Sequence, residues 1–378
     1  MLVYQIFIDR FNELSIKSNS ADFLGGTLSG ICAKLDYLID LGINTIWLSP
    51  FYETIAYHGY HITDFKKVDP HFGSHKDFEK LVKKAKKHNL KIIVDFVPNH
   101  CSAQHPFFQD AIIHENSKYR NWFIFKDWPN NYLCFLDVKV LPKINLDHPA
   151  AREYMIAVAH YWMSFGIDGF RIDHVIGPSH DFWKEFKIEI VDKYPEAIFI
   201  GEAWADGLKW SHFKTLGLKN KTIRKCFGVS QEKVQLEYHN ELSGVLDFAL
   251  NKIIVDAVKK KRDILTDKKL KAKIEKHFSQ VPKDYLMLTF LDNHDMDRFL
   301  RHCDGNIQIL LNAFELLFSL DHPVVIYNGT ENCSYNKTPV SPSHPQSDLQ
   351  VRGPFDWDNI KVEFVEGFKK LVKKYRYH

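Results

Sequence analysis

Eight short apolar runs divide the 378-residue chain, and seven of them lead visibly into sequence with helical periodicity. In order they are VYQIFID (3 to 9), NTIWLSP (44 to 50), KIIVDFV (91 to 97), DGFRID (168 to 173), AIFIGEAW (197 to 204), the weaker GVLDF (244 to 248), YLMLTFLDNHD (285 to 295) and PVVIYNG (323 to 329). Between them lie amphipathic stretches such as SGICAKLDYLIDLG, HKDFEKLVKKAKKHNL with Ser74 as its expected N-cap, and PAAREYMIAVAHYWMSFG with Pro149 in its first turn. The eighth run is trailed by WDNIKVEFVEGFKKLVKKYRY. Strand and helix in strict alternation build parallel sheets, and eight such units close into a (β/α)₈ barrel.

Two segments break the rhythm. Residues 98 to 147 are aromatic-rich and too long for an ordinary βα connection, so they read as a small inserted domain. The barrel then comprises residues 1 to 97 and 148 to 378. Residues 207 to 243 carry extra helical material to which the sequence assigns no role. The Pro/Ser-rich TPVSPSHPQSD (338 to 348) reads as a βα loop rather than a domain linker.

Bulk properties exclude several classes of function. Fifty Lys+Arg against 47 Asp+Glu leave a net charge of +3, too small and dispersed for a nucleic-acid or anionic-membrane binder. The basic run KKAKKHNLK (83 to 91) reads as a solvated helix face. No segment reaches the roughly 18 apolar residues of a membrane span, and the N-terminus reads as a first strand rather than a leader. Six cysteines, Cys32, Cys101, Cys134, Cys226, Cys303 and Cys333, lack metal or disulfide spacing, as in a reduced cytoplasmic chain. The sequons at Asn220, Asn328, Asn332 and Asn336 are then unused. Aromatic content of 14% suits rings that stack on sugar faces as well as rings that fill a core.

The stretch GFRIDHV (169 to 175) ends an apolar run with Arg171 and Asp173, which share a face at i and i+2 of a strand. A guanidinium there is either half of a buried structural pair or a device that keeps a carboxylate ionised. Chemistry in such barrels sits where the strands end. The third run delivers Asp95, Asn99 and His100; the fifth Glu202; the seventh His294 and Asp295. Taken singly, an Asp at a strand end is more often a helix cap than a catalyst, and Asp95 could serve the loop bearing Asn99 and His100. Taken together, Asp173, Glu202 and Asp295 are expected to share one pocket. Crowded carboxylates cannot all ionise, and one ionised and one protonated carboxyl is the pair that glycosidic cleavage needs.

DFVPNH (95 to 100), GFRIDHV, GEAW (201 to 204) and FLDNHD (290 to 295) resemble, in order, the four short motifs of the α-amylase family, glycoside hydrolase family 13. LPKIN (141 to 145) resembles its fifth motif in the form of the neopullulanase and cyclomaltodextrinase branch. The resemblance covers nearly the whole chain. It implies that Asp173 is the nucleophile, Glu202 the general acid/base and Asp295 the third carboxylate. It places Arg171, His100, His294, Trp204 and Arg298 around the sugar, and makes Tyr60, with His58 nearby, a stacking platform. Arg171 would keep Asp173 charged, while Glu202, with no matched Arg, holds the proton for the leaving group. The inserted segment corresponds to the family's domain B. Asn99 matches a calcium ligand of the family, although its companions are not evident and no cofactor is required.

The pattern also departs. His61 stands where many relatives carry Asp, and HVIGPSHDF replaces the Lys-His that often follows the nucleophile. The family's C-terminal β-sandwich is not visible, and self-association would cover the flank it leaves. The implied substrate is an α-1,4-linked glucan, extending to α-1,6 links. Transfer to a sugar hydroxyl or isomerisation would use the same intermediate, and a non-catalytic sugar binder would need a missing carboxylate.

Overall fold

The structure, a computed structural model, spans residues 1 to 378 and describes all but 13–14, 16–18, 222–223, 225–227, 342–343, 345 and 377–378. Cys226 and parts of the 207 to 243 and 338 to 348 segments therefore lie outside the described residues. Twelve strands are named in chain order, of which eight form a closed barrel: β1 (Leu2–Ile6), β2 (Thr45–Leu48), β5 (Lys91–Phe96), β8 (Gly169–Ile172), β9 (Ile198–Gly201), β10 (Gly244–Leu246), β11 (Leu286–Phe290) and β12 (Val324–Tyr327). All eight anticipated runs are present, including the weak one at Gly244. The order is β1-β12-β11-β10-β9-β8-β5-β2. Runs such as Val-Val-Ile-Tyr in β12 are buried along their whole length, as strands covered on both faces must be.

The chain divides into two compact units. One comprises Met1–Ser49, His71–Ile92 and Leu246–His378, the other Pro50–Pro70 and Ile93–Val245. In the first, helix His75–Lys87 opens with the expected cap: Ser74 Oγ accepts from the Asp77 N–H, and the Asp77 carboxylate accepts from the Ser74 N–H. Phe78, Leu81, Val82 and Ala85 form its buried stripe, so Lys83, Lys86 and Lys87 fall on the wet side. The basic run is thus the solvated face it resembled. Two expectations need correction here. β1 stops at Ile6 because residues Ile8–Phe11 turn into a short helix. The segment 29 to 42 forms two helices, Leu28–Ala33 and Leu35–Asp40, broken at Lys34, whose backbone leaves the helical region.

In the second unit, β5, β8 and β9 lie side by side and parallel, with Asp95 opposite Arg171 and Ile172 opposite Gly201. Gly169 starts β8 because its φ of +150° and the Ile198 carbonyl, 1.9 Å from where a Cβ would stand, leave no room for a side chain. A hairpin that the βα pattern concealed, β3 (Tyr52–Thr54) against β4 (Ile62–Val68), carries His58 and Tyr60 on its connection. Residues 98 to 147 hold helix Pro106–Ile113 and the small pair β6 (Phe125–Asp127) and β7 (Asn131–Tyr132). Their aromatic surplus is largely spent inward: Phe107 stacks on Tyr119 at 4.1 Å and Phe108 meets Phe123 edge-on at 4.8 Å.

Among the described residues no helix is long and apolar enough to cross a membrane. The five described cysteines are free thiols. Asn328 and Asn336 are buried, which closes those two sequons to a glycan.

Candidate active site

Parallel register does most of the positioning in the second unit. Because Asp95 and Arg171 are paired across β5 and β8, their side chains emerge on one face, and Arg171 Nη1 lies 2.8 Å from Asp95 Oδ1. Two residues on, Asp173 is held by its N–H to the Phe96 carbonyl at 2.8 Å, and its Oδ1 is 3.1 Å from the same Nη1. Glu202 is held likewise, its N–H on the Ile172 carbonyl at 2.8 Å. Arg171 Nη2 contacts Glu202 Oε1.

One guanidinium thus serves Asp95, Asp173 and Glu202, which corrects the expectation that Glu202 has no Arg beside it. The i and i+2 rule revealed the Asp173 contact, but Glu202 reaches Arg171 from the neighbouring strand, a relation that no spacing within one segment encodes. Burial alone pulls the Arg171 pKa down; Asp95, Glu202 and Asp173 outweigh it and hold the group charged. Beyond Arg171, Asp95 Oδ2 accepts from Tyr60 Oη at 2.9 Å and its carbonyl from Tyr52 Oη at 2.6 Å.

His174, the residue after Asp173, adopts φ +43°, an uncommon conformation for a side chain with a Cβ. That turn aims its N–H at Glu202 Oε2, 2.9 Å away. Its imidazole is buried, faces the Phe135 ring at 4.7 Å and is driven well below its usual pKa by burial, so it is neutral. His100 is also buried and neutral, its pKa lowered to about 3 chiefly by burial. Tyr60 and His58 stand together with ring centres 5.8 Å apart, and the Tyr60 N–H bonds His58 Nδ1. His61 packs edge-on against His58 at 4.8 Å. Trp204, two residues past Glu202, is half-buried.

His294, Asp295 and Arg298 belong to the first unit. His294 accepts at Nδ1 from Gln5 Nε2 (2.8 Å), which leaves Nε2 to carry the proton toward Asp295 Oδ2 at 3.0 Å. Arg352 donates to Asp295 Oδ1 at 2.8 Å and to the His294 carbonyl at 2.9 Å. No sequence signal singled out Arg352; it follows the Pro/Ser-rich loop in a stretch with no recognised pattern. Arg298 differs from expectation. It is 1% exposed, donates through Nη2 to the carbonyls of Asn328 and Val351, and stacks on Tyr327 at 4.1 Å, so it braces the loop after β12.

The candidate calcium ligand fails the test of fit. Asn99 Oδ1, the oxygen a cation would use, accepts from Lys143 Nζ at 2.8 Å, and the same ammonium reaches the Gly177 carbonyl at 3.0 Å. Lys143 is the central residue of LPKIN. Burial lowers its pKa to about 7, which the charge of Asp147 opposes. The protein's own cation fills the place, and no cluster of three or more His, Cys, Asp or Glu residues among the described residues offers another metal site.

Residues 5–375 match the family profile described as "Alpha amylase, catalytic domain". The chain belongs to the α-amylase family. Among relatives it is 36% identical to alpha-amylase 2 of Dictyoglomus thermophilum, over 100% of this chain and 63% of that protein. It is 30% identical to a cyclomaltodextrinase of Thermoanaerobacter pseudethanolicus, over 87% of this chain and 57% of the other, in keeping with the branch that LPKIN resembles. The chain therefore spans about three fifths of the length of these relatives. Among solved structures, the α-amylase of Geobacillus thermoleovorans complexed with acarbose superposes with a TM-score of 0.80 at 26% identity, over 100% of this chain and 78% of that one.

Proposed function

We propose that this protein is a cytoplasmic, retaining glycosidase that cleaves α-1,4 glucosidic bonds of maltodextrins, with Asp173 as nucleophile, Glu202 as general acid/base and Asp295 as the third carboxylate. The observation that carries the reading is Arg171 shared among Asp95, Asp173 and Glu202. Membership of the α-amylase family, the order of its motifs along the chain and the names of the relatives support it, and residues 98 to 147 are read as its domain B.

In the first step Asp173 Oδ attacks the anomeric carbon while Glu202 gives its proton to the leaving glycosidic oxygen. The C–O bond to the leaving sugar breaks as the glycosyl ester to Asp173 forms. In the second, Glu202 takes a proton from water, whose oxygen displaces Asp173 and restores the original anomer. A single guanidinium cannot neutralise three carboxylates, so a proton on Glu202 brings the group nearer to charge balance. Arg171 and the His174 N–H approach different oxygens of Glu202 and orient the carboxyl that carries that proton. The buried, neutral His100 adds no competing positive charge.

The test compares Glu202→Gln on maltotriose and on 4-nitrophenyl α-maltoside, whose phenolate departs with little help from an acid. The expected loss is by far the larger on maltotriose; equal losses on both would remove Glu202 from the acid role. The products of wild type on maltotriose separate hydrolysis, giving glucose and maltose, from transfer, giving longer chains.

A further inference from the structure

Past Gly201 the strand carrying Glu202 leaves the sheet: the Glu202 N–H still reaches the Ile172 carbonyl, and residues 203 to 205 lie outside the strand ladders. We infer that Gln231 replaces that ladder and is a positioning residue for Glu202. Its side-chain Oε1 accepts the Ala205 N–H at 2.8 Å, and its Nε2 donates to the Ala203 carbonyl at 2.6 Å. A carbonyl and an amine on one planar amide thus meet an N–H and a C=O two residues apart, the pattern a neighbouring strand would present.

The clamp is itself fixed. Gln231 is buried at 9% exposure, and its Nε2 also reaches Oε1 of Gln235, which is fully buried. Both belong to helix Gln231–Leu236, capped at Ser230. The residue that ends this helix, Glu237, is bound by His180 Nε2 at 2.8 Å, by the Lys219 N–H at 2.6 Å and by Arg224. The extra helical material between β9 and β10, which the sequence left without a role, therefore grips the peptide bonds directly after Glu202 and ties them to the start of helix His180–Lys193. Arg171 and the His174 N–H engage the carboxylate end of Glu202 and the Ile172 carbonyl its N–H, and the clamp fixes the backbone that follows. Rotation of the 203 to 205 backbone would swing the carboxyl away from the leaving oxygen, and misplacement of about 1 Å costs on the order of 10²-fold in rate.

The inference rests on Glu202 being the acid/base, and the experiment keeps the two apart. Gln231→Glu is isosteric but cannot donate to Ala203 when ionised; Gln231→Leu removes both bonds. On maltotriose each should lower kcat/KM by about 10²-fold, the scale of general acid catalysis, and on 4-nitrophenyl α-maltoside by less than about fivefold. Activity of Gln231→Glu on maltotriose should recover at pH low enough to protonate the new carboxyl and restore the donor, a gain that Gln231→Leu lacks. Equal losses on the two substrates, or none, would overturn the positioning role and leave Gln231 a packing residue. If instead Glu202→Gln shows no dependence on the leaving group, the acid assignment fails first. Should both Gln231 variants unfold, Gln235→Leu, which leaves Gln231 in place and removes the partner orienting its amide, carries the same two-substrate comparison with the same deciding outcomes.

Discussion

Glu331 offers a stability test whose size follows from the structure. It lies just past β12, completely buried, with its Oε1 accepting from Tyr4 Oη at 2.5 Å and from Tyr37 Oη at 3.5 Å. Burial raises its pKa from 4.5 to about 7, although the Tyr4 hydrogen bond and the Arg298 charge pull the other way. A carboxyl with a raised pKa binds its proton more tightly in the folded than in the unfolded state. Its contribution is therefore complete below pH 4.5, declines as pH rises toward 7, and is gone above that. The gap between 4.5 and about 7 corresponds to about 3 kcal/mol, lost at about 1.4 kcal/mol per pH unit. Glu331→Gln keeps the shape and cannot ionise. Urea unfolding of both proteins from pH 5 to 8 should show the wild type losing stability relative to the variant by about 2 to 3 kcal/mol, most of it before pH 7. Curves that stay parallel, or a wild type that gains with pH, would mean that Glu331 ionises inside the fold at no cost and that the burial argument is wrong.

Three further outcomes are expected. Asp173→Asn should lower turnover by several orders of magnitude with the thermal midpoint little changed, and a near-native rate would remove Asp173 as nucleophile. Tyr60→Phe keeps the ring but deletes the 2.9 Å bond to Asp95; such a bond to a charged group is worth about 1.5 to 3 kcal/mol, so kcat/KM should fall roughly 10- to 100-fold, and a change under about twofold would show that Asp95 needs only Arg171. Lys143→Met leaves Asn99 Oδ1 and the Gly177 carbonyl buried without their donor and should cost about 2 to 4 kcal/mol in urea unfolding, whereas a chelator should not move the wild-type midpoint; a chelator-dependent drop would restore a metal at Asn99.

The barrel was legible because its signal is periodic. Eight buried runs and their helices obey local rules, and Ser74 and Pro149 mark helix starts by chemistry alone. What stayed hidden was set by contact between distant segments. The hairpin of β3 and β4 has alternation too short to stand out beside the βα pattern, and the break at Lys34 interrupts a sequence whose apolar spacing runs straight through it. In the site, spacing within one strand brought out Arg171 with Asp173, whereas the reach of Arg171 to Glu202 and of Lys143 to Asn99 depends on how segments 31 and 44 residues apart are registered. Arg352 beside Asp295 had no signal for the same reason. The motif resemblance named Asn99 as a calcium ligand while its fifth motif supplied, in Lys143, the cation that displaces one.

The choice of arginine at position 171 follows from the same registration. Three carboxylates arrive from three consecutive strands: Asp95 directly across from it, Asp173 two residues further along its own strand, and Glu202 beyond the end of the next. They approach one buried point from different directions. A lysine ammonium could meet that charge but holds its three donors at one atom, on a flexible stem, and burial pulls its pKa down, as it does for Lys143 in the same unit. Guanidinium spreads its donors over a rigid plane, so Nη1 can serve Asp95 and Asp173 while Nη2 turns to Glu202, and it stays charged throughout. Removing it would take from three buried carboxylates the guanidinium they share. The residue that looked like half of an ion pair is thus a fixed spacer, and the two carboxyls assigned to the chemistry are held relative to each other through it.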